Sequence, residues 1–126
     1  MKEPAYKSII SKGTIVEVDF PYSEDPTKSK KRPSLVLWSD KSQRDFILAF
    51  ITTRWIDKKE DRDVHLSKKE HGFAQTGLMT DSKIRLTKLC TLSRNRLTAK
   101  YGMLTDEMLN RVIKELKSIF EINTLQ

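Results

Sequence analysis

Apolar runs of strand length fill the first half of this chain, and none is long enough for a membrane span. From Gly13 the period is two. Thr14, Val16, Val18 and Phe20 point one way and Ile15, Glu17 and Asp19 the other, which predicts a half-buried strand that Pro21 stops. Residues 35–38 and 46–51 are continuous apolar runs, with Trp38 expected in the core. The turn cluster Ser39-Asp40-Lys41-Ser42 between them predicts a hairpin. Residues 62–66, carrying Val64 and Leu66, make a weaker strand. Residues 77–80 and 83–91 supply one or two more, with Ile84, Leu86 and Leu89 inward. Residues 1–11 lack a pattern and read as a short arm. The polar, proline-containing stretch 22–31 reads as an exposed loop, and the mixed-sign stretch 58–63 as a solvated one.

A helical signal appears only at the end. Leu104-Thr105-Asp106-Glu107 offers a threonine N-cap followed by two acids that suit the helix dipole, and Leu104 and Leu109 suit a hydrophobic staple across it. Met108, Leu109, Val112, Ile113, Leu116, Ile119 and Phe120 then share one face. Several short strands and one terminal helix predict a mainly β fold: a small, strongly curved antiparallel barrel with a C-terminal helix packed on it.

The 126 residues make one domain, spanning 1–126. A net charge of +7 predicts attraction to a polyanion or an acidic protein. The start, Met1-Lys2-Glu3-Pro4, carries no apolar core of a signal peptide, so a cytoplasmic location is expected. With one cysteine, Cys90, and two scattered histidines, His65 and His71, neither an internal disulfide nor a tetrahedral metal site is expected. No cofactor is expected either.

Two residues at strand edges stand out as chemistry. Arg32 precedes Pro33, which biases it toward an extended backbone. Its guanidinium either presents two donors to one phosphate or pairs with an acid across the sheet. Thr52 closes an apolar strand, where its hydroxyl either satisfies a backbone group or faces a ligand. Asp81 and Ser82 follow Gly77-Leu78-Met79-Thr80, as a turn cap or as substrate contacts. Trp55 is placed for base stacking or for surface packing.

The order G-x-I-V-x-V-D-F, K-R-P-x-L-V-L, I-T-T, G-L-M-T-D-S resembles the MazF/PemK family of toxin endoribonucleases, from about residue 11 to 120. That resemblance implies an SH3-like barrel of the MazF/PemK/CcdB kind. It implies a metal-independent endoribonuclease that cleaves single-stranded RNA (an mRNA interferase), forms a homodimer and is neutralised by an acidic antitoxin. Arg32 and Thr52 match the family's catalytic arginine and threonine. Arg85 matches an arginine that some members place in the active site. Lys30, Lys31, Thr53, Trp55, Asp81 and Ser82 are the expected substrate contacts. Thr87 stands where some members have an acid, and Cys90 where the family has arginine. These departures keep open the alternative of a CcdB-like barrel that acts by binding nucleic acid or protein without cleavage.

Overall fold

The computed structural model describes residues 3–4, 9–21, 27, 29–54, 56–58 and 62–122. The strands are β1 (Glu3–Pro4), β2 (Thr14–Pro21), β3 (Ser29–Ser39), β4 (Asp45–Thr52), β5 (Asp63–Leu66), β6 (Ser82–Ser93) and β7 (Leu97–Met103). Among the described residues one α-helix, α1 (Asp106–Ile119), follows the strands. The sheet runs β1-β7-β2-β3-β4-β6-β5, every recorded pairing antiparallel. The architecture is thus the expected one, mainly antiparallel β with a C-terminal helix. The sheet is barrel-like but open: among the described residues no pairing joins β1 to β5.

Register shifts bend the sheet. They fall at Ile15/Val16 and Glu17/Val18 in the β2–β7 pair, at Val36/Trp38 in β3–β4 and at Ala49/Phe50 in β4–β6. A bulge bends its strand and increases local twist. The bent sheet buries apolar residues on both faces. One core gathers Ile15, Leu35, Ile51, Ile84 and Met108; the other gathers Val16, Val18, Val36, Phe46 and Leu48. Strand β2 is therefore not half-buried. Residues Thr14 through Val18 are all buried, because each face of the strand meets its own core.

Three further expectations differ from the structure. Trp38 is 51% exposed, not core. From Val36 to Trp38, β3 advances two residues while β4 advances one, and the extra residue turns the side chain outward. Residues 77–80 are not a strand; a 3₁₀ turn, Phe73–Thr76, precedes them. Residues 29–31 begin β3, where Lys30 and Lys31 pair with Phe20 and Asp19, rather than ending a loop. The unanticipated strand β7 lies between β1 and β2.

The helix forms as its sequence dictates. The Met108 N–H donates to Thr105 Oγ1 at 3.1 Å. Met108 and Val112 are its buried residues, while Leu109, Leu116 and Ile119 are half-buried against the same core. Gly13, at φ +94°, donates its N–H to the Val36 carbonyl and accepts from Leu104 N–H, which ties the start of β2 to the helix entry. Among the described residues no helix is long and apolar enough to cross a membrane.

Candidate active site

The β3–β4 pairing brings Arg32 and Thr52 together. Ser34 is opposite Phe50, and two residues further along each strand the same face carries Arg32 and Thr52. Both line a cleft of about 180 Å³ with Lys30, Lys31 and Arg54. Arg32 and Thr52 are half-buried; the other three are exposed. Thr52 Oγ1 accepts the Arg54 N–H at 3.0 Å, which orients the hydroxyl and leaves its proton to donate. No carboxylate pairs with Arg32 among the described residues.

Arg85 has a different setting. Its Nε lies 3.2 Å from Asp63 Oδ1, and its side chain is 17% exposed. Lys83 Nζ lies 3.5 Å from Asp63 Oδ2, with both side chains fully buried. Lys83 also donates to the Lys58 carbonyl at 3.2 Å. Register places Lys83 opposite Thr52 and Arg85 opposite Phe50, so these charges share the face of the Arg32 cleft. Arg85 is not among the residues lining that cleft. Sequence reasoning missed this cluster, having assigned Asp63 to a solvated loop.

Asp81 and Ser82 hold a turn. Asp81 Oδ1 accepts the Lys68 N–H at 2.7 Å, and the buried Ser82 hydroxyl donates to the Thr80 carbonyl at 2.9 Å. Trp55 lies outside the described residues. A second, larger cleft of about 570 Å³ adjoins the first: Pro33 and Thr53 line both, and Leu78, Met79, Ser82 and Tyr101 line the larger one. Sequence reasoning missed Tyr101 because it missed the strand. The available signal was the alternation of Leu97, Ala99, Tyr101 and Met103 with Thr98, Lys100 and Gly102.

Among the described residues no group of three or more His, Cys, Asp or Glu is placed to hold a metal ion. Cys90 is half-buried in the second core, and burial pushes its thiol pKa up, away from a reactive thiolate.

Residues 11–120 match the model of a protein family described as the PemK-like, MazF-like toxin of type II toxin-antitoxin systems. No curated protein matches the chain. Among solved structures, the fold is similar to an endoribonuclease in complex with its cognate antitoxin from a mycobacterial species. There the identity is 15%, covering 93% of this chain and 100% of that chain, with a TM-score of 0.68. An endoribonuclease from a mycobacterial species gives 14% identity, 94% and 97% coverage and a TM-score of 0.66. Mycobacterium tuberculosis toxin MazF-mt6 gives 17%, 86% and 98%, and 0.63. At such identities the structural likeness speaks for the fold. The family match spans the chain from just before β2 to the end of α1, and with it the chain belongs to the PemK-like, MazF-like toxins of type II toxin-antitoxin systems.

Proposed function

We propose that this protein is a toxin endoribonuclease that cleaves single-stranded RNA without a metal ion. The observation that carries this is the convergence of Arg32 and Thr52 on one small cleft rimmed by Lys30, Lys31 and Arg54. In the reaction, the ribose 2′-oxygen attacks the adjacent phosphorus as its proton leaves. The bond to the 5′-oxygen breaks, and that oxygen takes up a proton. The products are a 2′,3′-cyclic phosphate and a 5′-hydroxyl. Negative charge grows on the non-bridging oxygens, and a fixed guanidinium is suited to meet two of them. Arg32 takes that role. The Thr52 hydroxyl, oriented by the Arg54 N–H, donates to a phosphate oxygen. Arg85, anchored by Asp63, adds positive potential on the same face. Lys30, Lys31 and Thr53 hold the strand, with Trp55, Asp81 and Ser82 as further contacts.

Single-stranded substrate follows from chemistry, because only unpaired bases are free to splay out and stack on protein. The same basic cleft suits an acidic antitoxin segment that competes with RNA. The endoribonuclease solved with its cognate antitoxin supports that reading, as does membership of a toxin-antitoxin family. A symmetric homodimer acting in the cytoplasm completes the proposal.

The test is incubation of purified protein with mixed-sequence single-stranded RNA in EDTA, followed by end-group analysis. Cleavage leaving cyclic phosphate and 5′-hydroxyl ends is expected. Activity abolished by EDTA and restored by magnesium would sink the metal-free mechanism. RNA binding without any cleavage would turn the reading to a barrel that acts by binding.

A further inference from the structure

We propose that the larger cleft is a nucleobase subsite, in which the base beside the scissile phosphate stacks on Tyr101 and sets the cleavage preference. This rests on the Arg32–Thr52 cleft being the phosphate site.

Continuity is the first argument. Arg32 and Thr52 line the cationic cleft, and the residues that follow them, Pro33 and Thr53, line both clefts. A ligand that fills both must carry an anion next to a flat, largely apolar group. A nucleotide within a single strand has that form. At about 570 Å³ the cleft falls in the range of small-molecule sites, roughly 300–1,000 Å³.

The second argument is that its walls are fixed before any ligand arrives. The Tyr101 hydroxyl donates to Glu17 Oε2 at 2.8 Å, and the Thr98 hydroxyl donates to Oε1 at 2.8 Å. Glu17 is only 6% exposed, so this carboxylate is a buried anchor whose two oxygens each hold a hydroxyl. It pins the Tyr101 ring. The loop opposite is laid directly on β7. Gly77 sits at φ +75°, and a Cβ there would lie 2.3 Å from the Tyr101 carbonyl oxygen. A Cβ on Gly102 would lie 2.1 Å from the Gln75 carbonyl oxygen. Only glycines permit so close an approach. Thr76 Oγ1 accepts the Leu78 N–H at 3.1 Å and holds the loop beyond it. A rigid aromatic platform avoids the ordering cost of binding a base. The hydroxyl of the exposed Thr53 on the wall supplies a polar contact for a base edge.

The experiment measures binding of 2′-O-methyl single strands, which cannot be cleaved, carrying one abasic position at a time around the preferred cut. Cut-site sequencing of a randomised RNA pool runs in parallel. For the unaltered protein, the abasic change is expected to weaken binding about fivefold to a hundredfold at one position beside the scissile phosphate. In Tyr101→Leu that penalty vanishes, and the cleavage pool loses its preference at the same position while other positions keep theirs. Met79→Ala, at a side chain 92% exposed on the rim, spares the fold and is expected to reduce the same penalty partially. If neither variant, each shown to be folded, changes any abasic penalty, the cleft does not take a base. Should cleavage and its preference persist unchanged in both, only the subsite falls and the Arg32–Thr52 reading stands. Should the unaltered protein neither bind nor cut RNA, both fall together. Loss of binding to an acidic peptide in Tyr101→Leu, with RNA binding intact, would assign the cleft to a protein partner instead.

Discussion

Two groups of basic residues lie close together on this sheet, with Arg32, Lys83 and Arg85 on one face, and they differ in their partners. At the β3–β4 end, Lys30, Lys31, Arg32 and Arg54 surround a cleft, with no carboxylate partner among the described residues. One strand over, Lys83 and Arg85 are held by the buried carboxylate of Asp63. The two groups meet where Thr52 pairs with Lys83. Cationic composition is common to both; the difference is whether the fold itself supplies the counter-charge. Where it does, the charge is spent on structure. Where no such carboxylate stands among the described residues, the proposed function gives the cation to the RNA phosphate.

The comparison breaks most readily at Asp63. Asp63→Ala removes the carboxylate that lies 3.5 Å from Lys83 Nζ, in a pair whose two side chains are 0% exposed. Breaking a buried ion pair by removing one partner costs about 3–5 kcal/mol, so chemical denaturation is expected to show a loss of that size. A second change, Lys83→Met, removes the buried cation as well and is expected to restore much of it. A single mutant as stable as the parent would show that the cluster is not structural.

Arg32→Lys tests the other side. Lysine keeps the charge but lacks the bidentate fork. A well-placed donor to a developing oxyanion contributes about 2–4 kcal/mol, so turnover is expected to fall roughly a hundredfold or more. The denaturation midpoint is expected to stay put, since among the described residues no carboxylate pairs with Arg32. Near-normal turnover in the folded variant would remove Arg32 from the chemistry.

Arg85→Gln sharpens the boundary. A hydrogen bond to a charged group contributes about 1.5–3 kcal/mol, and a stability loss in that range is expected, with a turnover loss well below that of Arg32→Lys. If a folded Arg85→Gln protein loses as much turnover as Arg32→Lys, then Arg85 reaches the substrate despite its ion pair.

What the sequence made legible follows from periodicity and local chemistry. The strands around Val16, Val36 and Leu48 and the capped terminal helix announce themselves by spacing and by turn residues. Bringing Arg32 near Thr52 needed only a hairpin between adjacent runs. Strand β7 was missed although Leu97, Ala99, Tyr101 and Met103 alternate with Thr98, Lys100 and Gly102; alanine, lysine and glycine are poor strand formers, and the segment becomes a strand between its two neighbours. With it went Tyr101 and the buried Glu17 that holds it. Arg85 was identified, but its partner lies 22 residues earlier in a charged stretch that looked solvated. Long-range pairing of charges leaves no local mark. The outward turn of Trp38 depends on a bulge, which an apolar run does not reveal.

The smallest expected effect concerns the rim. Lys31 is exposed and its charge lies beside the proposed phosphate path. Each phosphate neutralised on a single strand releases condensed counterions and contributes about 0.7 to the slope of log K against log salt. Lys31→Ala is therefore expected to lower that slope by about 0.7 and to weaken RNA of every sequence alike. An acidic antitoxin segment in the same cleft would share this dependence, since screening weakens both attractions. The double change Asp63→Ala with Lys83→Met, compared with the parent, removes one buried anion together with the buried cation it pairs and is expected to leave the slope nearly unchanged. Equal slope changes for Lys31→Ala and the double change would mean that the ligand senses buried and exposed charge alike, and the division between the two groups would fail.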